Sequence, residues 1–120
     1  MKLAHLALTV ADQARSRRFY ETYFGFGEGP ATRYDDGVLI IRDGHGFDLA
    51  LGEGEMTGVP EFLHLGFRCD DPDEVRSQRG RLVADGVPLV EDEDTPTYVG
   101  LKCLDPDGYT VEVYWEPPAA

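Results

Sequence analysis

The sequence is doubled, and this internal repeat constrains the fold more than any other feature of the 120-residue chain. The segment His5–Asp12 aligns with His64–Asp71 without a gap, so that His matches His and Asp matches Asp. A second segment, Asp43–Asp48, aligns with Asp107–Glu112, so that Asp43 matches Asp107 and carboxylate matches carboxylate at the other end. Two similar units in so short a chain indicate a duplication rather than a solenoid, which needs three or more repeats.

Each half is predicted to fold as a strand, a helix and three further strands. Residues 1–120 are expected to form a single domain made of a first module, 1–54, and a second module, 61–116. The Gly-rich stretch Glu53–Pro60 is predicted to link them. In the first half the predicted strands are Leu3–Val10, Ala31–Tyr34, Val38–Arg42 and Phe47–Leu51. In the second half they are a strand that begins near Phe62 and the strands Val87–Val90, Tyr98–Leu104 and Tyr109–Trp115.

One helix is predicted in each half from its start and stop signals. Asp12 is a suitable N-cap for a helix that runs to about Phe24, and Gly25 is a suitable stop. The sequence Asp71-Pro-Asp-Glu74 combines a capping Asp, a Pro at the first helical position and a Glu three residues after the cap. The second helix is predicted to end at Gly86.

Strand alternation places four candidate metal ligands, His5, Asp48, His64 and Glu112, on faces opposite the bulky apolar side chains. If the two halves fold alike and face each other, these four side chains converge. Two imidazoles with one or two carboxylates suit a divalent ion of the Fe, Mn, Co, Ni or Zn group. The competing interpretation is that His5, His64 and Glu112 hydrogen-bond one another inside a barrel.

Asp48 and three further residues have expectations of their own. Asp48 is one methylene shorter than Glu112, which leaves three or four protein ligands open. Tyr114 and Arg68 share the ligand face and are candidates for orienting a substrate, with an outward-facing structural role as the alternative. His45 lies in a turn and is expected to be exposed.

The charge of the chain restricts its partners. The formal net charge is -12, which disfavours nucleic acid and anionic membrane surfaces because their phosphates would be repelled. The acidic run Glu91–Asp94 is predicted to be a solvated loop. No segment approaches the ~20 apolar residues of a membrane span, and no secretory signal precedes the first strand, so a cytoplasmic location is expected. Cys69 and Cys103 form no C-x-x-C pair and are predicted to be small buried hydrophobes.

Together these motifs resemble the vicinal oxygen chelate superfamily, which includes glyoxalase I, extradiol dioxygenases, and fosfomycin- and bleomycin-resistance proteins. The residues that carry the resemblance are His5–Val10 with Asp12, Arg18–Tyr20, Tyr23–Phe26, His64–Phe67 and Asp105–Glu112. The resemblance implies an α+β fold of paired βαβββ modules that form a cupped mixed sheet around one divalent metal. It also implies His5, His64 and Glu112 as ligands and a homodimer. Pairing of the two modules within one chain is the competing arrangement, and the linker Glu53–Pro60 allows either. Relatives of glyoxalase I carry a Glu at the place of Asp48.

The chain resembles some members of the superfamily more than others. Residues Glu91–Tyr98 lack the His that extradiol dioxygenases usually add upstream of the last hairpin, and Tyr109 stands where fosfomycin-resistance proteins usually have a His. Bleomycin-resistance proteins generally lack the metal ligands, which are intact in this chain.

The resemblance therefore implies a metal-dependent lyase or isomerase of the glyoxalase type. It would chelate adjacent oxygens of a small substrate and stabilise an enolate-type intermediate, with Glu112, and Asp48 beside it, moving the proton. The alternatives are a drug- or metabolite-binding resistance protein and an Fe(II) extradiol-type dioxygenase.

Overall fold

The computed structural model describes residues 1–119, which form two compact units, Met1–Val59 and a second unit from Pro60 onward. Each unit contains a strand, a helix and three strands, as the sequence predicts. The first unit comprises β1 (His5–Val10), α1 (Gln13–Tyr23), β2 (Thr32–Arg33), β3 (Leu39–Arg42) and β4 (Asp48–Glu53). The second comprises β5 (His64–Arg68), α2 (Pro72–Ala84), β6 (Leu89–Thr95), β7 (Tyr98–Leu104) and β8 (Thr110–Trp115).

Both units have the same sheet topology. The strand order is β1-β4-β3-β2 in the first unit and β5-β8-β7-β6 in the second. The first and last strands of each unit pair in parallel, and the remaining pairs are antiparallel. A parallel pair needs a crossover connection, and in each unit the helix lies on that connection. The α+β fold of two βαβββ units is therefore confirmed.

The helix boundaries follow from their caps. The side chain of Asp12 accepts a hydrogen bond from the backbone N–H three residues later, and Asp71 does the same at the start of α2. The Glu74 carboxylate completes the second cap by accepting a hydrogen bond from the backbone N–H of Asp70 at 3.2 Å. After each helix a glycine adopts a positive φ, 73° at Gly25 and 75° at Gly86. Both start signals and both stop signals are confirmed.

Alternation along the strands separates a buried apolar face from a polar face in each unit. In β1, Leu8 and Val10 are buried, whereas His5 and Thr9 on the opposite face are exposed. The core of the first unit is Leu8, Val10, Phe19, Tyr20, Phe26, Leu39, Ile41, Leu49 and Leu51. The core of the second unit is Cys69, Val75, Leu82, Val99, Leu101, Cys103, Tyr109, Val111 and Val113.

The two cysteines are buried and free, as predicted. Burial raises the pKa of both thiols to about 11, and neighbouring carboxylates act in the same direction. These thiols are therefore protonated at neutral pH. No helix among residues 1–119 is long and apolar enough to cross a membrane.

The acidic run Glu91–Asp94 is not a loop, so that prediction is wrong. The run lies within β6, which is an edge strand of its sheet, and its side chains are exposed as predicted. Cations of α2 and β7 pair with three of its four carboxylates, which reduces the repulsion between the adjacent negative charges. The ion pairs are Arg76–Asp94, Arg79–Asp92 and Lys102–Glu91, with N–O distances of 2.9, 2.6 and 3.1 Å.

The last hairpin of each unit corrects the alignment of the repeat. In the first unit the Asp43 carboxylate accepts from the backbone N–H groups two and four residues later, at 2.7 and 3.1 Å. Asp105 makes the same two bonds in the second unit, both at 2.9 Å. The glycine three residues after each Asp has a positive φ, 88° at Gly46 and 90° at Gly108. Asp43 therefore corresponds to Asp105, and the sequence alignment that matched it with Asp107 is wrong.

This correction changes which residues are equivalent. The structural counterpart of Asp48 is Thr110, and the counterpart of Glu112 is Ala50. Strand pairing agrees, because His5 lies opposite Asp48 and His64 lies opposite Thr110. Glu112 therefore lies two residues farther along β8 than Thr110, the counterpart of Asp48.

Candidate metal centre

His64 and Glu112 lie side by side on neighbouring strands of the second unit. His64 begins β5, and Glu112 lies near the middle of β8 opposite Gly66. The His64 Nε2 atom is 3.8 Å from Oε1 of Glu112, and both side chains are mostly buried. A Cβ atom at position 66 would come within 3.6 Å of that Oε1, so the glycine leaves the space beside the carboxylate open.

The imidazole of His64 is oriented by the backbone. Its Nδ1 atom is 2.8 Å from the carbonyl oxygen of Phe62. A carbonyl oxygen only accepts, so Nδ1 carries a proton and donates it, and Nε2 is the ring nitrogen directed toward Glu112. A backbone or carboxylate partner on the other ring nitrogen is what metal-ligating histidines usually have.

The separation of the two donors suits a metal ion better than a direct bond. At 3.8 Å, Nε2 and Oε1 are too far apart for a hydrogen bond, and they form an ion pair only when the imidazole is protonated. Ligand atoms ~2.0–2.2 Å from one ion lie ~2.8–3.6 Å apart at angles between 90° and tetrahedral. Small side-chain rotations close this difference, so the donor set of His64 and Glu112 fits a divalent ion.

Tyr98 holds the other oxygen of the same carboxylate. Its hydroxyl donates a hydrogen bond to Oε2 of Glu112 at 3.1 Å. Burial, the Glu112 charge and this hydrogen bond raise the pKa of Tyr98 to about 12, so the hydroxyl is a stable donor at neutral pH. The Tyr98 ring is nearly parallel to that of Tyr114, with centroids 6.3 Å apart and an interplanar angle of 16°.

Tyr98 and Lys102 were not identified as site residues from the sequence. Alternation along β7 contained the signal, because Gly100 and Lys102 lie opposite Tyr114 and Glu112 of β8, and Tyr98 shares their face.

Two clefts adjoin the pair in the second unit. One, of about 410 Å³, is lined by residues that include Glu112, Tyr98, Glu93 and Lys102. The other, of about 390 Å³, includes His64 and again Lys102. Both volumes are of the size of small-molecule sites, but both clefts are open to solvent.

Lys102 brings positive charge to these clefts. Its ammonium group lies 3.1 Å from the Glu91 carboxylate and 5.7 Å from the centre of the Phe62 ring. These two contacts hold the charge at the shared wall of the clefts, where it partly offsets the surrounding carboxylates.

His5 and Asp48 are neighbours in the first unit. They lie opposite each other in the parallel pair of β1 and β4. His5 is exposed, and the Asp48 carboxylate lies 3.9 Å from Nε of Arg42. Across residues 1–119, no group of three or more His, Cys, Asp or Glu side chains is arranged to hold a metal. The structure thus brings His5 beside Asp48 within the first unit, and His64 beside Glu112 within the second.

The family model of the Glyoxalase/Bleomycin resistance protein/Dioxygenase superfamily matches residues 2–113. The chain belongs to this superfamily. The structure of a possible glyoxalase from Bacillus cereus is 32% identical, with a TM-score of 0.79 over 94% of this chain and 97% of that one. TnmS3, an antibiotic binding protein from Streptomyces sp. CB03234, is 25% identical, with a TM-score of 0.75 over 98% of this chain and 97% of that one.

A trivalent organoarsenical cleaving enzyme from Bacillus sp. (strain MD1) is 26% identical over 120 residues. The alignment covers 96% of this chain and 73% of that enzyme. The relatives thus span different chemistries on one fold, and the site residues must decide between them.

In this superfamily member, the two residues predicted to orient a substrate have different surroundings. The Arg68 guanidinium donates to the carboxylate of Glu116 at 3.0 Å and to its backbone carbonyl at 3.1 Å. Tyr114 stacks on Tyr98, which lines the larger cleft. Arg68 is therefore paired with Glu116. Tyr114 packs against Tyr98, whose hydroxyl donates a hydrogen bond to Glu112. His45 is exposed in its turn, as expected.

Proposed function

We propose that this superfamily member is a metal-dependent lyase or isomerase of the glyoxalase type. The proposed ligands of its divalent ion are His5, His64 and Glu112, and its substrate is a small molecule with two adjacent oxygens. The observation that carries the proposal is the 3.8 Å approach of Nε2 of His64 to Oε1 of Glu112, with the other polar atom of each group already held by a hydrogen bond. When bound, an ion of the Fe, Mn, Co, Ni or Zn group would supply Lewis acidity toward the substrate oxygens.

The chain's own residues have distinct parts in this proposal. Phe62 and Tyr98 orient the imidazole and the carboxylate through hydrogen bonds. Glu112 is the candidate for moving a proton, because a general base must lie within hydrogen-bond reach of the reacting group, and Asp48 is the weaker second candidate. Lys102 offers positive charge to an anionic oxygen of the substrate.

A homodimer is part of the same proposal. His5 belongs to the first unit, whereas His64 and Glu112 belong to the second. In the dimer, one chain supplies His5, with Asp48 beside it, and its partner supplies the other two ligands. Oligomers of this kind are usually symmetric, so two equivalent sites are expected.

An Fe(II) dioxygenase is the second candidate, and the corrected repeat favours it. Because Ala50 occupies the place equivalent to Glu112, the first unit offers no second carboxylate there. Two histidines and one carboxylate then remain, which is the ligand set of non-haem Fe(II) oxygenases.

The activity of the organoarsenical-cleaving relative does not transfer easily to this chain. Trivalent arsenic binds thiolates, and the thiolate is the reactive form of cysteine. Cys69 and Cys103, the two cysteines of the chain, are buried with pKa values raised to about 11. They offer no thiolate at neutral pH, so this substrate class is not part of the proposal.

Calorimetric titration of metal-free protein with Ni²⁺ or Zn²⁺ tests the proposed centre. We expect one ion per chain, and Glu112→Gln should weaken its binding by more than ~100-fold, since losing an outer partner alone costs ~10–100-fold. The matched control is Glu93→Gln, which removes the same charge from the same cleft without touching His64. Equal affinity in the wild type and the Glu112 variant would remove Glu112 from the site and contradict the proposal.

Two further measurements separate the candidates. Oxygen consumption by the Fe(II)-loaded protein with catechols would favour the dioxygenase over the lyase or isomerase. Tight binding of flat organic molecules by a protein that binds no metal would instead indicate a sequestering role, as in the antibiotic-binding relative.

A further inference from the structure

The two oxygens of Glu112 have different surroundings. Oε2 accepts the Tyr98 hydroxyl at 3.1 Å, whereas Oε1 faces His64 Nε2 at 3.8 Å. We infer that Tyr98 is a positioning residue that reserves Oε2 and leaves Oε1 as the single oxygen with which Glu112 binds the ion. This inference rests on the proposed metal centre and assigns it a residue outside the ligand set.

The position of the Tyr98 hydroxyl is fixed from several sides. The backbone N–H of Tyr98 donates to the Thr95 hydroxyl at 3.0 Å, and that hydroxyl donates to the Tyr98 carbonyl at 3.1 Å. The ring stacks on Tyr114. These contacts hold the tyrosine before any ion binds, so that little conformational freedom remains to be lost on binding.

Gly100 makes the arrangement possible. A Cβ atom at this position would lie 2.5 Å from the Tyr98 hydroxyl oxygen and 2.6 Å from two ring carbons. Any side chain there would push the ring away, so the absence of one at position 100 is what allows the hydroxyl to reach Glu112. The glycine thus serves the site, and its φ does not lie in the left-handed region.

The consequence is an additional open coordination position. A carboxylate that binds through both oxygens occupies two positions on an ion, whereas one that binds through a single oxygen occupies one. Catalytic metal sites keep open positions for water or substrate, and a substrate with two adjacent oxygens needs two of them. Tyr98 would therefore increase the number of positions available to the substrate.

Titration of metal-free protein with Co²⁺ tests the inference by calorimetry and visible absorption, because the absorption of Co²⁺ responds to its coordination number. Tyr98→Phe removes only the hydroxyl, and Gly100→Ala displaces it while leaving it in the chain. Tyr34→Phe, half-exposed in the first unit, is the matched control. We expect both site variants to bind Co²⁺ ~10–100-fold more weakly, the usual cost of losing an outer partner, with an altered spectrum. The metal-free melting temperature of Tyr98→Phe should stay at the wild-type value.

The outcomes separate this inference from the proposed function. If the wild type binds Co²⁺ and Tyr98→Phe matches the Tyr34 control in affinity and spectrum, the positioning role is overturned and the metal centre stands. Weaker Co²⁺ binding by Tyr98→Phe with an unaltered spectrum also overturns it. So does weaker binding by this variant when its metal-free melting temperature is lowered as well. A wild type that binds no Co²⁺ overturns both.

Discussion

The corrected alignment of the repeat predicts that Asp48 and Glu112 are not interchangeable. Asp48→Asn and Glu112→Gln each remove one negative charge and preserve the side-chain volume, so the two variants are matched. Only the second removes a proposed ligand. We expect Glu112→Gln to weaken Ni²⁺ binding by more than ~100-fold and Asp48→Asn to weaken it by ~5-fold or less.

The magnitude for Asp48 follows from its place on β4. Its structural counterpart is Thr110, two residues before Glu112, and a strand rises ~3.3 Å per residue. Asp48 is thus ~7 Å short of the equivalent position, and its side chain is shorter by one methylene. Even ~8 Å from a divalent ion, a unit charge in water contributes only ~1 kcal/mol, about fivefold in affinity. The Arg42 guanidinium, 3.9 Å from the Asp48 carboxylate, reduces this further.

Calorimetry on metal-free proteins gives the dissociation constants directly. Ala50→Glu provides the converse experiment, because it places a carboxylate at the position equivalent to Glu112, and we expect it to tighten Ni²⁺ binding. A loss of Ni²⁺ affinity in Asp48→Asn as large as that in Glu112→Gln would refute the reasoning. Asp48 would then be a ligand even though its structural counterpart is Thr110.

The remaining predictions concern assembly, stability and thiol chemistry. Light scattering should give a mass of about twice 13.3 kDa across micromolar concentrations, and a constant mass of 13.3 kDa would exclude the homodimer. In urea titrations, Leu82→Ala should lower the unfolding free energy by ~2–5 kcal/mol, because Leu82 is fully buried in α2. Val83→Ala changes the neighbouring, half-exposed residue and should alter the unfolding free energy by less than ~0.5 kcal/mol. Iodoacetamide should modify Cys69 and Cys103 of the folded protein slowly at pH 8, because burial raises their pKa to about 11, and rapidly in denaturant; rapid labelling without denaturant would show that the thiols are accessible.

Local signals in the sequence were sufficient for most of the fold. Asp12 and Asp71 cap the helices as predicted, because a capping carboxylate acts on backbone N–H groups only two or three residues away. Alternation correctly assigned the buried and polar faces, since side chains of a strand point to opposite sides regardless of what packs against them.

The failures arose where the outcome depends on distant residues. The charge of the run Glu91–Asp94 predicted a loop, yet the run pairs with β7 as a strand, and Arg76 and Arg79 of α2 pair with two of its carboxylates. The alignment that matches Asp43 with Asp107 is also wrong, because Asp-Gly occurs in both turns at places that are not equivalent. Matching letters could not reveal that Asp43 and Asp105 are the residues making the same hydrogen bonds.

The sequence by itself determined the duplicated βαβββ unit and the polar face on which each candidate ligand lies, because caps, turns and alternation act over a few residues. Only the tertiary structure decided the register between β5 and β8, which sets Glu112 opposite Gly66 and beside His64. Register depends on how whole strands pack and on the turn that joins them, and a shift of two residues preserves every inward and outward position. The hydrogen bond from Tyr98 to Glu112, which joins β7 to β8, depends on strand register for the same reason.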